Sequence, residues 1–113
     1  MPAKATIPSA EALELNALIS YAEQGISSRV IAQSGGGNVT LFAFDEGQEL
    51  SEHASPYEAL VEVIEGTLLI TVGGTQVRAT SGMIVRIPSN VPHALESPGR
   101  SKMVPVMLRG RGT

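Results

Sequence analysis

The chain contains two histidines, His53 and His93, and no cysteine. Histidine is the commonest side-chain metal ligand, and the only side chain whose ordinary titration falls near neutral pH. The pair therefore marks the first place to look for metal ligation or proton transfer. Turn-forming residues frame both. The first lies in Gly47-Gln-Glu-Leu-Ser-Glu-His53-Ala-Ser55-Pro-Tyr57-Glu-Ala59, which runs on to Glu65-Gly66. The second closes Gly82-Met-Ile-Val-Arg-Ile-Pro88-Ser-Asn90-Val-Pro92-His93. Lack of cysteine excludes disulfides, thiolate metal sites and a thiol nucleophile. A serine triad needs nucleophile, base and orienting acid in mutual reach. Ser55 stands two residues from His53, which on an extended chain is too far for a dependable hydrogen bond. No two carboxylates have a spacing that suits glycoside hydrolysis. What remains for two imidazoles is to hold a metal, to bind or protonate an organic ligand, or to be hydrogen-bonded parts of a filled core.

Strands must carry these side chains. From residue 26 onward the apolar pattern has a period of two. Candidate strands are Ile26–Gln33, Val39–Phe44, Ala59–Ile64, Thr67–Val72, Thr75–Ala79, Met83–Ile87, Ala94–Glu96 and Met103–Leu108. Glu65-Gly66 and Gly73-Gly74 read as hairpin turns between β-branched runs. Ser34-Gly-Gly-Gly37-Asn38 is a turn as well; it lacks the lysine and hydroxyl residue of a phosphate loop. Residues 1–25 differ. Residues 1–8 read as an extended arm, and Ser9 is placed to cap a helix starting at Ala10. Leu15, Leu18, Ile19 and Ala22 then lie at helical spacing, with Gly25 as the stop.

Parity places His53, Ser55, Tyr57, Ala59, Val61 and Val63 on one face if the segment stays extended. Ser55 and Tyr57 are thus candidate pocket residues, set against plainer roles as a small hydrogen-bonding residue and an edge tyrosine. Met83, Met103 and Met107 alternate within strands and read as core or interface filler rather than thioether ligands. Several strands are apolar on both faces, as Leu41 and Ala43 oppose Phe42 and Phe44. The surplus predicts that an outer face is covered, by the N-terminal segment or by a second subunit in a homodimer. A monomeric mass in light scattering would exclude the dimer.

With these residues in view, the chain resembles the cupin family. The family's first motif runs glycine, five residues, histidine, one residue, histidine, three or four residues, glutamate, six residues, glycine. Gly47, His53 and Gly66 match it, while Ser55 stands at the second histidine and Ala59 at the glutamate. The second motif runs glycine, five residues, proline, one residue, glycine, two residues, histidine, three residues, asparagine. Gly82, Pro88 and His93 match, with Asn90 at the second glycine and Ser97 at the asparagine. Asparagine tolerates the left-handed conformation that glycine supplies. The resemblance implies an all-β fold, a double-stranded β-helix or jelly-roll barrel, with residues 1–25 as an N-terminal arm or short helix and 26–113 as the barrel.

Metal-binding cupins gather three histidines and a glutamate inside the barrel. By resemblance only His53 and His93 carry over as ligands for a divalent transition metal (Mn, Fe, Ni, Cu or Zn). Glu58 neighbours the vacant glutamate slot but has the wrong parity without a bulge. Glu49, Glu52 and Glu96 have no positional argument. The resemblance is compatible with a metal-dependent oxygenase, isomerase or lyase acting on a small molecule. The alternative is a metal-free module that binds or senses one. A formal net charge of −3 and the absence of a Lys/Arg run predict no nucleic-acid or membrane partner. Lacking a signal-like apolar N-terminus, the chain is expected in the cytoplasm.

Overall fold

The computed structural model describes residues 6–109. Nine strands occur among them: β1 Ile26–Ser34, β2 Gly37–Phe44, β3 Glu49–His53, β4 Glu58–Glu65, β5 Thr67–Val72, β6 Thr75–Thr80, β7 Ile84–Ile87, β8 His93–Glu96 and β9 Ser101–Leu108. They form a five-stranded sheet, ordered β1-β2-β9-β4-β7, and a four-stranded sheet, ordered β3-β8-β5-β6. The paired strands are antiparallel. The all-β architecture and the eight expected strands are present, with β3 added. Glu65-Gly66, expected as a hairpin turn, instead carries the chain from the five-stranded sheet to the four-stranded one, since β4 and β5 do not pair. Gly66 needs to be glycine there, because its φ is +77° and a Cβ would lie 2.2 Å from the Arg100 carbonyl oxygen.

The period-two pattern becomes two apolar layers. Phe44, Ala59, Val61, Val63, Leu68, Ile70, Ala79, Ile87, Leu95 and Met103 fill the space between the sheets. Leu41, Ala43 and Val104 point the other way, to the outer face of the five-stranded sheet. Ile19 packs on that face, with Leu18 and Tyr21 beside it. The chain's own N-terminal segment thus supplies cover for this part of the outer face, one of the two covers the sequence leaves open.

That segment is not the expected helix. Ala10 has φ 59°, the wrong hand for a helix start. Helical geometry is limited to a 3₁₀ turn, Leu15–Leu18, which has no side-chain cap and ends where Ile19 becomes extended. A short uncapped helix is marginal by itself, and here tertiary bonds hold a flatter strap. Ile7 N donates to Ile31 O (3.2 Å). The Lys102 ammonium, buried on the outer face, donates to both the main-chain oxygen and Oδ1 of Asn16 (2.8 and 2.7 Å). Tyr21 donates its hydroxyl proton to Glu65 (2.5 Å), and Arg100 lies over the Tyr21 ring. The extended arm expected over residues 1–8 lies outside the described residues up to residue 5. No helix among the described residues is long and apolar enough to cross a membrane.

Candidate functional site

His53 and His93 are direct cross-strand partners on β3 and β8. Their rings stand edge to face, with centroids 4.3 Å apart. A β-bulge makes this possible. Leu50 pairs with Leu95 and His53 pairs with His93, so β3 spends three residues where β8 spends two. Strict alternation would put Leu50 and His53 on opposite faces. The extra residue turns His53 back to the side that Leu50 occupies, and both line the same cavity. The bulge that the sequence left open at Glu58 therefore lies instead at β3.

Each ring is held from behind. Nδ1 of His53 lies 2.9 Å from Ser51 O, and Nδ1 of His93 lies 2.9 Å from Val91 O. A carbonyl oxygen only accepts, so each Nδ1 carries the proton and donates it. The lone pair of each neutral imidazole then sits on Nε2, the arrangement in which a second partner orients a metal-ligating histidine. His93 is buried, while His53 is exposed at the rim.

The cavity between the sheets has a volume of about 130 Å³. Besides the histidines, Phe42, Leu50, Ala59, Val61, Ile87 and Leu95 line it, together with Met103, Pro105 and Met107 of β9. A larger open groove of about 380 Å³ follows the β1–β2 hairpin, but no titratable side chain lines it. The two histidines lie at the smaller cavity.

Ser55 and Tyr57 are not in its wall. The chain does not stay extended past His53. It bends through residues 54–57 and crosses to the other sheet, where β4 begins at Glu58. Ser55 is occupied in that crossing. Its Oγ accepts from Tyr57 N (3.1 Å), and its carbonyl accepts from Asn90 N (2.7 Å). Asn90 has φ 64°, the conformation anticipated where the motif expects glycine. The Tyr57 ring lies near the Arg109 guanidinium instead of the cavity.

No carboxylate completes a metal shell. Glu58 pairs with Arg86, and Glu49, Glu52 and Glu96 are exposed. No group of three or more His, Cys, Asp or Glu residues able to hold a metal occurs among the described residues. The motif ends serve the frame: Gly47 N donates to Ser97 O (2.7 Å), and Ser97 N donates to Gln48 O (2.9 Å). The three-histidine, one-glutamate set of metal-binding cupins thus does not fit this pocket. Two aligned imidazoles do remain.

The perturbed groups lie on the outer face and beside the strap. The Arg100 guanidinium, with main-chain N–H groups of Gln24 and Glu46, holds Asp45 down to about 2. The Tyr21 hydroxyl holds Glu65 below the usual carboxylate range. Burial, reinforced by Glu65, pushes Tyr21 well above its ordinary value.

Residues 40–108 match the family model described as a cupin domain. Among solved structures, a conserved protein of unknown function from Streptococcus pyogenes superposes with a TM-score of 0.88 at 28% identity, covering 94% of this chain and 93% of that one. A cupin superfamily protein from Desulfitobacterium hafniense gives a TM-score of 0.86 at 27% identity, with 93% and 96% covered. KdgF from Halomonas sp. shares the fold at 18% identity, with a TM-score of 0.72 over 77% of this chain and 81% of that one. No curated protein matches the chain.

Proposed function

The chain belongs to the cupin family, and from that premise we propose that its cavity is a small-molecule site organised around a transition-metal ion held by His53 and His93. One observation carries the reading: both Nδ1 atoms donate to main-chain carbonyls, which leaves both Nε2 lone pairs for a ligand of the same cavity. Two protein ligands leave coordination positions free, and the apolar wall suits a small, weakly polar molecule beside the ion. The residues' own part is to orient the lone pairs and to exclude water from the buried His93 side.

The apolar wall also favours a second reading, a metal-free pocket that binds a small aromatic or aliphatic molecule and offers Nε2 as an acceptor for its one polar hydrogen. One experiment separates the two. Protein purified without a histidine tag is stripped, titrated with transition-metal ions and assayed for bound metal. The metal reading expects uptake of about one equivalent that is lost in both His53→Ala and His93→Ala. Failure of every metal to bind folded wild-type protein would overturn it. The metal-free reading then requires that small aromatics perturb the His53 and His93 ring signals in NMR.

A further inference from the structure

We propose that the cavity takes an uncharged single-ring aromatic molecule bearing a hydroxyl, of the phenol class, with its ring against β9 and its hydroxyl turned to His53 and His93. This rests on the small-molecule site common to both readings and names the molecule; the seat of the ring is the same with or without a metal ion on the histidines. Size sets the first limit. The cavity of about 130 Å³ is close to the roughly 150 Å³ apolar cavity that admits benzene in an engineered protein, so one six-membered ring suits it. The wall sets the second. Met103, Pro105 and Met107 of β9 line it, facing the histidines of the other sheet. The two methionines are four residues apart on an extended strand, a span of about 13 Å, with Pro105 midway. A flat ring laid on Pro105 therefore has a thioether toward each edge, and thioether sulfur favours contact with aromatic edges.

Polarity sets the third limit. Among the described residues no charged side chain lines the cavity, and the two imidazoles are its only polar side chains. Each imidazole already donates its Nδ1 proton to a main-chain carbonyl, Ser51 O or Val91 O. Pro105 has no N–H to offer. The wall's side chains thus present acceptors and no donor. A ligand hydroxyl can donate to Nε2 while its oxygen faces the rim, where His53 is exposed. A carboxylate or phosphate would lose hydration there and find neither a cation nor a donor.

The test uses full-length, untagged protein stripped of metal with a chelator. Phenol, fluorobenzene, cyclohexanol and benzoate are titrated, and NMR follows the histidine ring signals and the methionine methyl signals. Phenol should shift Met103, Met107 and both histidines, with a dissociation constant near or below about 1 mM. Met83 is exposed and outside the cavity wall, so its signal should not move. Fluorobenzene has nearly the shape of phenol without the donor and should bind about three- to ten-fold more weakly. Cyclohexanol keeps the donor without the aromatic ring and should bind about two-fold or more weakly. Benzoate should be weaker by about a hundred-fold or more. Ala59→Leu fills the cavity, and the folded variant should lose about ten-fold or more in phenol affinity. Binding of any of the three analogues as tight as that of phenol, or unchanged phenol binding in folded Ala59→Leu, overturns the proposal. The ranking of the four compounds on wild type decides if Ala59→Leu does not fold. Shifts from none of the four also overturn it. The small-molecule site itself falls only if a wider set of fragment-sized molecules leaves the same signals unmoved.

Discussion

Restoring the motif's carboxylate should give this pocket a three-ligand metal shell. The perturbation is Ala59→Glu. Ala59 is 5% exposed, lines the cavity and projects from β4 toward the sheet that carries the histidines. The substitution adds roughly 50 Å³ of side chain, which a cavity of about 130 Å³ accommodates without the strain that overpacking brings. Without metal, a carboxylate is placed among apolar side chains and loses hydration. That costs upward of about 3 kcal/mol, or upward of about 12 °C in melting temperature for a domain of this size. With Zn(II), two imidazoles and one carboxylate form a three-ligand shell with an open fourth position. At a free zinc concentration about 100 times the dissociation constant, binding returns about 2.7 kcal/mol, a rise of roughly 10–20 °C. Differential scanning calorimetry of wild type, Ala59→Glu and Ala59→Gln, each with chelator and with zinc, reads these shifts. The reasoning fails if folded Ala59→Glu gains no more from zinc than wild type does. It fails equally if Ala59→Gln gains as much as Ala59→Glu, because the carboxylate charge would then be irrelevant.

Further expectations concern the frame that presents the pocket. Gly66→Ala should cost more than about 2 kcal/mol in chemical denaturation, because it combines a φ of +77° with a Cβ 2.2 Å from the Arg100 carbonyl oxygen. At Asn90, with φ 64°, Gly should be tolerated within about 1 kcal/mol, whereas Val should cost about 1–2 kcal/mol and loosen the bond from Asn90 N to Ser55 O. Tyr21→Phe removes a hydrogen bond to a charged acceptor and should cost about 1–2 kcal/mol at neutral pH. The raised Tyr21 hydroxyl favours the neutral form in the fold, so its contribution is complete below the ordinary tyrosine value of about 10 and is lost as pH rises beyond it. A pH series of melts should therefore show an alkaline decline that is shallower in Tyr21→Phe. Asp45, held down to about 2, stabilises the fold above the ordinary aspartate value of about 3.9, and that contribution is lost as pH falls toward about 2. Asp45→Asn should be less stable at pH 5 and should flatten the acid limb between these values.

The parts of this molecule that were legible before folding are those in which period and turn chemistry agree. The Gly73-Gly74 turn joins β5 to β6 as the expected hairpin, whereas the turn at Gly66 passes between the two sheets because β4 and β5 find other partners. The alternation of Phe42 and Phe44 against Leu41 and Ala43 separates the inner layer from the outer one. Asn90 adopts the left-handed conformation its motif position demands. The N-terminal stripe misled because Leu15, Leu18 and Ile19 have helical spacing, yet spacing alone does not form a helix. Leu18 and Ile19 still bury themselves, but through a 3₁₀ turn and an extended stretch whose main chain and polar side chains find partners on the sheet.

At the site, the difficulty was one of counting. The strict alternation assumed beyond His53 placed Ser55 and Tyr57 in the pocket, but residues 54–57 leave the strand and cross between sheets. Alternation resumes only with Ala59 and Val61, now from the opposite wall. Before His53 the count fails in the other direction, because the bulge after Leu50 brings residues 50 and 53 to one face. A bulge leaves no compositional mark here; Ser51 and Glu52 are ordinary strand-edge residues. Met103 and Met107 show the same limit more sharply. Their parity correctly places them facing inward, and inward methionine is filler in most cores. Periodicity reports which face a residue occupies and says nothing of what stands across from it.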